Sequence, residues 1–162
     1  MKKIIFVLFL ISSVVSIGQE TEFKITNEVG VNKFVVVEIN GQSQQELYAK
    51  TMKWFNNNFV TQDSKIEGQI ENEMLKIRIL ENGGMYLFKI DFKDGKYRIE
   101  IQESGMYNGV AKVLYPLDTK NLLNKKGEIK FGWGYIERAT KELNRYNNSL
   151  KTYLENKEES NW

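Results

Sequence analysis

The sequence predicts an α+β fold: an antiparallel sheet of about five strands, in the order strand, helix, then four strands, with the helix packed on one face and a second helix at the C-terminus. Three observations carry this. Between Ser64 and Gln102, four runs of alternating apolar and polar residues are separated by short polar breaks, two of which contain Asn82-Gly83 and Asp94-Gly95. Upstream, Ser43-Gln44-Gln45-Glu46 opens a stretch whose apolar residues recur every three or four positions. Near the C-terminus, Ile136, Ala139, Leu143, Tyr146, Leu150 and Tyr153 repeat that helical spacing.

The elements follow in chain order. Lys33 to Ile39, "KFVVVEI", is rich in β-branched residues and predicts a first, mostly buried strand. Ser43 then serves as a helix N-cap. With Glu46 three residues on, it forms a capping box in which each side chain satisfies the other's orphan backbone donor. The helix places Leu47, Tyr48, Thr51, Met52, Trp54, Phe55 and Phe59 on one broad face. Burying each large apolar side chain contributes about 1.5–3 kcal/mol, so this face is expected to supply much of the core.

"SKIEGQIE", "MLKIRIL", "GMYLFKIDF" and "KYRIEIQ" are the four further strands. Asn-Gly and Asp-Gly favour two-residue type I′ turns, because both central positions need positive φ. With Asp94-Gly95 at the tip, Phe92 faces Tyr97, Asp91 faces Arg98, Ile90 faces Ile99, Lys89 faces Glu100 and Phe88 faces Ile101. One face then carries apolar pairs and the other carries opposite charges. A turn at Asn82-Gly83 sets Ile77 against Phe88 and Leu75 against Ile90. A turn at Gly83-Gly84 slips the register by two residues, keeps the faces and sets Lys76 against Asp91. Both remain open on the sequence alone.

After Glu103 the pattern thins. The only proline, Pro116, follows a short further strand expected within Val110 to Tyr115. "TKNLLNKKGEIKFGWG" reads as loop with a brief helical turn, and the second helix is expected from about Tyr135 to Asn156. Its narrow seam can pack on the same domain or pair with a partner helix. The tail after it is expected to be solvated.

The N-terminus reads as a signal peptide. Lys2 and Lys3 precede an apolar stretch from Ile4 to Val15, and Ser16 and Gly18 are the small residues before an expected cut after Gly18. The apolar stretch is short for a membrane span, which needs about 20 residues. The expected organisation is a signal peptide over 1–18, an α+β domain over 33–103 and a C-terminal extension over 104–162 with a long helix packed on the same domain. The expected location is exported, periplasmic or secreted, with no membrane span after cleavage. Loss of Lys2 and Lys3 accounts for the whole formal charge of +2, so the mature chain is neutral. That weakens the case for a nucleic-acid partner.

The chain has no Cys and no His. It therefore carries no disulfide framework, no Ser-His-Asp or Cys-His arrangement and no zinc site with nitrogen or sulfur ligands. Carboxylates remain, and Glu67, Glu71, Glu73 and Glu81 could supply a glycosidase-like pair about 5–10 Å apart in a cleft. No phosphate loop or calcium loop is recognisable, so no cofactor and no metal is expected. The charged sheet face, with Lys96 and Arg98 on it, lacks aromatics for base stacking. It offers at most a contact for an anionic envelope polymer. The second candidate contact surface is the aromatic and glycine cluster of "GMYNG" and "FGWGYI", with Tyr107, Trp133 and Tyr135 in loop surroundings.

"ELYAKTMKWFNNNF" after a strand, followed by short strands and "KDGKYRIEI", resembles domain of unknown function family 4468, exported domains found mainly in Bacteroidota and described as having a TATA-binding-protein-like (TBP-like) fold. The resemblance covers about Lys33 to Glu103. It implies export and an antiparallel sheet carrying a helix, and attaches no activity. The expectation is thus an exported, noncatalytic domain that binds an unknown envelope protein or polymer, with no nucleic acid. The alternatives are a small carboxylate-dependent hydrolase of envelope glycan and a binder of an anionic envelope polymer.

Overall fold

A computed structural model describes residues 20–59, 64–107 and 112–156. The expected signal peptide, residues 1–18, lies outside the described residues. The elements are β1 (Ile25–Thr26), β2 (Gly30–Val31), β3 (Phe34–Glu38), α1 (Gln44–Asn58), β4 (Lys65–Ile70), β5 (Met74–Glu81), β6 (Gly84–Lys93), β7 (Lys96–Tyr107), β8 (Lys112–Leu114) and α2 (Gly134–Glu155). The main sheet is antiparallel, in the order β3-β7-β6-β5-β4, with β8 also on β7. Because β6 occupies one edge of β7 throughout, β3 and β8 lie end to end along the other edge. Strand β8 falls within the stretch expected from Val110 to Tyr115 and makes this a six-stranded sheet. The small ribbon of β1 with β2 has no counterpart in the sequence pattern, because two-residue strands leave no periodicity.

Both hairpin registers follow the turn arithmetic. Phe92 pairs with Tyr97, Asp91 with Arg98, Ile90 with Ile99 and Phe88 with Ile101. Ile77 lies opposite Phe88 and Leu75 opposite Ile90, which selects Asn82-Gly83 as the other turn. Asn82 (φ 51°) and Gly83 (φ 74°) both take the positive φ of a type I′ turn. Asp94 does not: only Gly95 is left-handed at that tip (φ 73°). The tip is instead tied to the loop before α1. The Asp94 carboxylate accepts from the Gln44 N–H at 2.8 Å, Gly95 N–H donates to Gln42 O at 2.8 Å, and Ile39 N–H donates to Gly95 O at 2.8 Å.

Helix α1 starts at the expected capping box, with Ser43 accepting from Glu46 N–H and the Glu46 carboxylate accepting from Ser43 N–H at 2.7 Å. Ser43→Ala is expected to cost about 1 kcal/mol, read as a lowered midpoint in urea unfolding with an unchanged slope. Leu47, Trp54 and Phe55 of α1 are buried against Leu75, Ile77, Phe88, Ile90 and Ile99 of the sheet. On α2 the expected seam is buried in the same core, with Leu154 completing it where Tyr153 is only partly covered. The apolar seam is therefore closed against its own domain rather than left for a partner helix. Asn147 is fully buried, accepts from the Tyr97 hydroxyl at 2.9 Å and donates to Thr21 O at 3.0 Å, so it ties α2 to β7 and to the segment before β1.

A strap of residues 115–123 continues from β8 past β2. Tyr115 N–H donates to Ser104 O at 2.7 Å and Val31 N–H donates to Leu117 O at 2.8 Å. Leu122 is fully buried, while the brief helical turn expected hereabouts is a bridge between Leu123 and Ile129 instead. Two glycines make the close approach possible. A Cβ on Gly105 would lie 2.2 Å from Val113 O, and one on Gly30, whose φ is +77°, would lie 2.2 Å from Leu117 O.

Candidate functional site

The two candidate surfaces separate in space. At the α2 end, Trp133 and Tyr135 form a file with Tyr115 from the strap: ring centroids are 4.5 Å apart for Tyr115–Tyr135 and 5.8 Å for Trp133–Tyr135. All three rings are half-buried. Tyr107 joins them only through its backbone pairing with Lys112; its side chain, like Asn108 and Gly109, lies outside the described residues. Strand pairing sets Val113 beside Met106, and the Met106 sulfur meets the Arg138 guanidinium at 3.9 Å. Val113 (56% exposed) and Met106 (44%) thus extend the file, and Phe131, two residues before Trp133, is fully solvent-exposed. These neighbours are not legible in the sequence, because β8 has to be placed on β7 before Val113 can lie beside Met106 and Tyr115 can meet α2.

Behind this shelf is a small cleft of about 120 Å³, lined by Glu81, Tyr86, Tyr115, Tyr135, Arg138 and Glu142 among others. Burial pushes the Tyr86 phenol up to about 12, and the Glu142 carboxylate adds to the rise, so Tyr86 is a neutral hydrogen-bond donor at physiological pH. Burial likewise raises the Tyr135 phenol, with Tyr115 adding to the effect. The cleft offers neutral hydroxyls, one guanidinium and carboxylates beside apolar rings. That chemistry suits holding a polar group next to an apolar one.

The other surface is the sheet face turned away from the helices. Arg98 is committed there: its guanidinium donates to Asp91 at 2.6 and 3.1 Å, approaches Glu100 at 3.6 Å and lies 5.4 Å from the centroid of the Phe34 ring. Lys89 stands opposite Glu100 as expected, yet its ammonium pairs with Asp91 at 2.9 Å. Lys96 faces Lys93 on one side and Glu38 on the other and makes no ion pair among the described residues. Phe34, 48% exposed, corrects the expectation of a face without aromatics. The β3–β7 pairing that puts Phe34 opposite Glu100 is long-range and carries no local signal.

Burial draws the Asp91 carboxyl upward, but the hydrogen bonds and charges of Lys89 and Arg98 outweigh it and hold the group below its usual range. A depressed folded value means that the unfolded chain binds the proton more readily. The stabilisation is therefore full above about pH 4 and is lost as pH falls through the folded value. Asp91→Asn is expected to flatten the acid limb of stability when urea midpoints are compared from neutral pH downward.

The four candidate carboxylates do not converge. Glu67 pairs with Arg78, Glu81 is held by Arg145 and by the Tyr146 hydroxyl at 2.9 Å, and Glu71 and Glu73 sit at the β4–β5 turn. Among the described residues, no group of three or more acids is placed to hold a metal ion. None of the described helices is long and apolar enough to cross a membrane.

Residues 34–80 match the family described as a domain of unknown function (DUF4468) with TBP-like fold. The fold is TBP-like. Two solved structures show it at full scale. A DUF4468 family protein from Bacteroides ovatus ATCC 8483 has 14% identity and a TM-score of 0.63, over 85% of this chain and 92% of that one. A TBP-like protein from Parabacteroides distasonis ATCC 8503 has 14% identity and a TM-score of 0.55, over 86% of this chain and 100% of that one. The likeness therefore reaches well outside Lys33 to Glu103. No curated protein matches the chain. At such identity the TBP-like scaffold is shared and function has to be argued from the surface.

Proposed function

We propose that this protein is an exported, noncatalytic binding domain that engages an envelope protein through the aromatic shelf at the start of α2. One observation carries the reading. Met106 and Val113 are exposed beside the half-buried file of Tyr115, Tyr135 and Trp133, and Phe131, two residues before Trp133, is fully exposed, whereas the apolar seam of α2 is consumed by its own core. Large apolar side chains held in water cost stability, and their grouping marks contact surfaces rather than chance exposure. Tyr and Trp are well suited to such a surface, because each offers a rigid apolar body with a polar tip.

Export is supported by the basic, apolar and small-residue succession of residues 1–18. In cells producing the full chain, the periplasmic or secreted form is expected to begin at Gln19 on N-terminal sequencing. A chain retaining residues 1–18 in the cytoplasm contradicts export. For the contact itself, a photoreactive side chain at position 113 or 131 is expected to give one discrete adduct in envelope fractions. A control at position 57, on the exposed side of α1, is expected to give none. Adducts from all three positions alike, or from none, refute the shelf as the contact surface.

A further inference from the structure

A second groove, larger than the cleft behind the shelf, lies at an interruption of the sheet. β7 carries a bulge where its pairing with β6 shifts between Leu87 and Phe88, so Gln102 is left over between the partners of those two residues. On the opposite edge of β7, β3 stops at Glu100 and β8 begins at Gly105. Into this interval opens a groove of about 720 Å³, within the range of pockets that hold small organic molecules. Bulges recur next to binding sites because they re-aim side chains and end strand pairing.

The lining divides by chemistry. Leu87, Ile101, Leu114 and Leu117 give it an apolar floor and wall. The strap that supplies Leu117 is fixed by the close approaches at Gly105 and Gly30, so the wall is built into the backbone. The ionic side chains are unevenly matched. Glu103 is neutralised by the Lys112 ammonium at 2.6 Å and Glu100 lies 3.6 Å from Arg98. Lys33 and Lys76, also in the lining, make no ion pair among the described residues, against one similarly unengaged acid, Asp118. Lys76 stands directly opposite Lys89, but Lys89 is paired with Asp91 at 2.9 Å, so the charge left open at this register position is that of Lys76. Ser104 is 2% exposed and its hydroxyl has no partner among the described residues, an arrangement that costs stability unless something completes it.

We propose that this groove binds a free medium-chain carboxylate, its alkyl chain over Leu87 and against Leu114 and Leu117, its head within reach of Lys33 and Lys76. An apolar floor alone would accept any alkyl compound; the unpaired lysines select an anion. The groove shares Tyr115 with the aromatic shelf, but the proposed contacts are with other residues, so its failure leaves the shelf untouched.

The test is calorimetric titration of the mature chain with decanoate below its micellar range, with decanol as the uncharged control. Decanoate is expected to bind with one-to-one stoichiometry and at least tenfold more tightly than decanol. Lys33→Gln combined with Lys76→Gln, both surface changes, is expected to weaken decanoate at least tenfold and to leave decanol unchanged. Leu114→Asp, at a half-exposed position, is expected to weaken both. No binding by the wild type, equal affinity for decanoate and decanol, or an unaffected double variant overturns the proposal. So does a loss produced by Val113→Ser with Phe131→Ser, which would place the alkyl chain on the shelf. Circular dichroism of each variant separates lost binding from lost fold, and Lys33→Arg with Lys76→Arg, expected to retain decanoate, supplies the charge-preserving check.

Discussion

Replacing Tyr146 with alanine is expected to lower the free energy of unfolding by about 3–5 kcal/mol, the cost of deleting a large buried aromatic and leaving a cavity. Tyr146 is 1% exposed, and its ring meets Phe59, Tyr86 and Phe88 at centroid distances of 5.7, 5.4 and 5.8 Å. It joins the end of α1, strand β6 and α2 in one contact set. Its hydroxyl donates to Glu81, which Arg145 also holds, and Arg145 lies 4.3 Å from the centroid of the Tyr146 ring. Tyr146→Phe separates the two contributions, because it keeps the ring and removes only the hydrogen bond to the carboxylate, worth about 1.5–3 kcal/mol. Urea unfolding of the wild type and both variants checks the order. Equal stability of Tyr146→Ala and the wild type would mean that α2 does not close the core as described.

The second large effect is expected at Gly30. Alanine there meets two penalties: a left-handed backbone and a Cβ 2.2 Å from Leu117 O and 2.8 Å from Thr119 N. Overpacking against backbone that cannot yield costs about 1–3 kcal/mol or more. The strap should detach before the sheet does. Amide hydrogen exchange is expected to show protection lost at Val31 and Tyr115 and kept at Ile77 and Phe88. Gly105→Ala, which drives a Cβ towards Val113 O, is expected to release the strap from the β8 side. Uniform loss of protection across the sheet in either variant contradicts a separately anchored strap.

What the sequence disclosed and what it withheld divide along contact distance. The registers of β5, β6 and β7 follow from turn residues and period-2 alternation, since a hairpin encodes its partner a few residues away. The helix faces follow from a 3.6-residue period and a capping box. The pairing of Phe34 with Glu100 and the seating of β8 on β7 join distant segments with no local mark. The aromatic shelf was visible as Trp133 and Tyr135 but not as a surface, because Tyr115 and Val113 reach it only through β8. The pairing of Arg98 with Asp91 follows from the hairpin register, whereas its approach to Glu100 and its position over the Phe34 ring needed the fold. The Asp94-Gly95 tip kept the register its dipeptide implies while departing from the turn type, because its polar groups serve the start of α1.

That attachment of the hairpin tip has a practical corollary. A turn at the end of a long hairpin is usually where a reporter peptide or a new pair of termini can be introduced without harm. Here Asp94 and Gly95 are bolted to Gln42, Gln44 and Ile39, so lengthening this tip pulls on the helix start as well as on the sheet. The exposed bend at Lys125–Gly127, whose polar contacts run only to its immediate neighbours, is the better place to cut or splice.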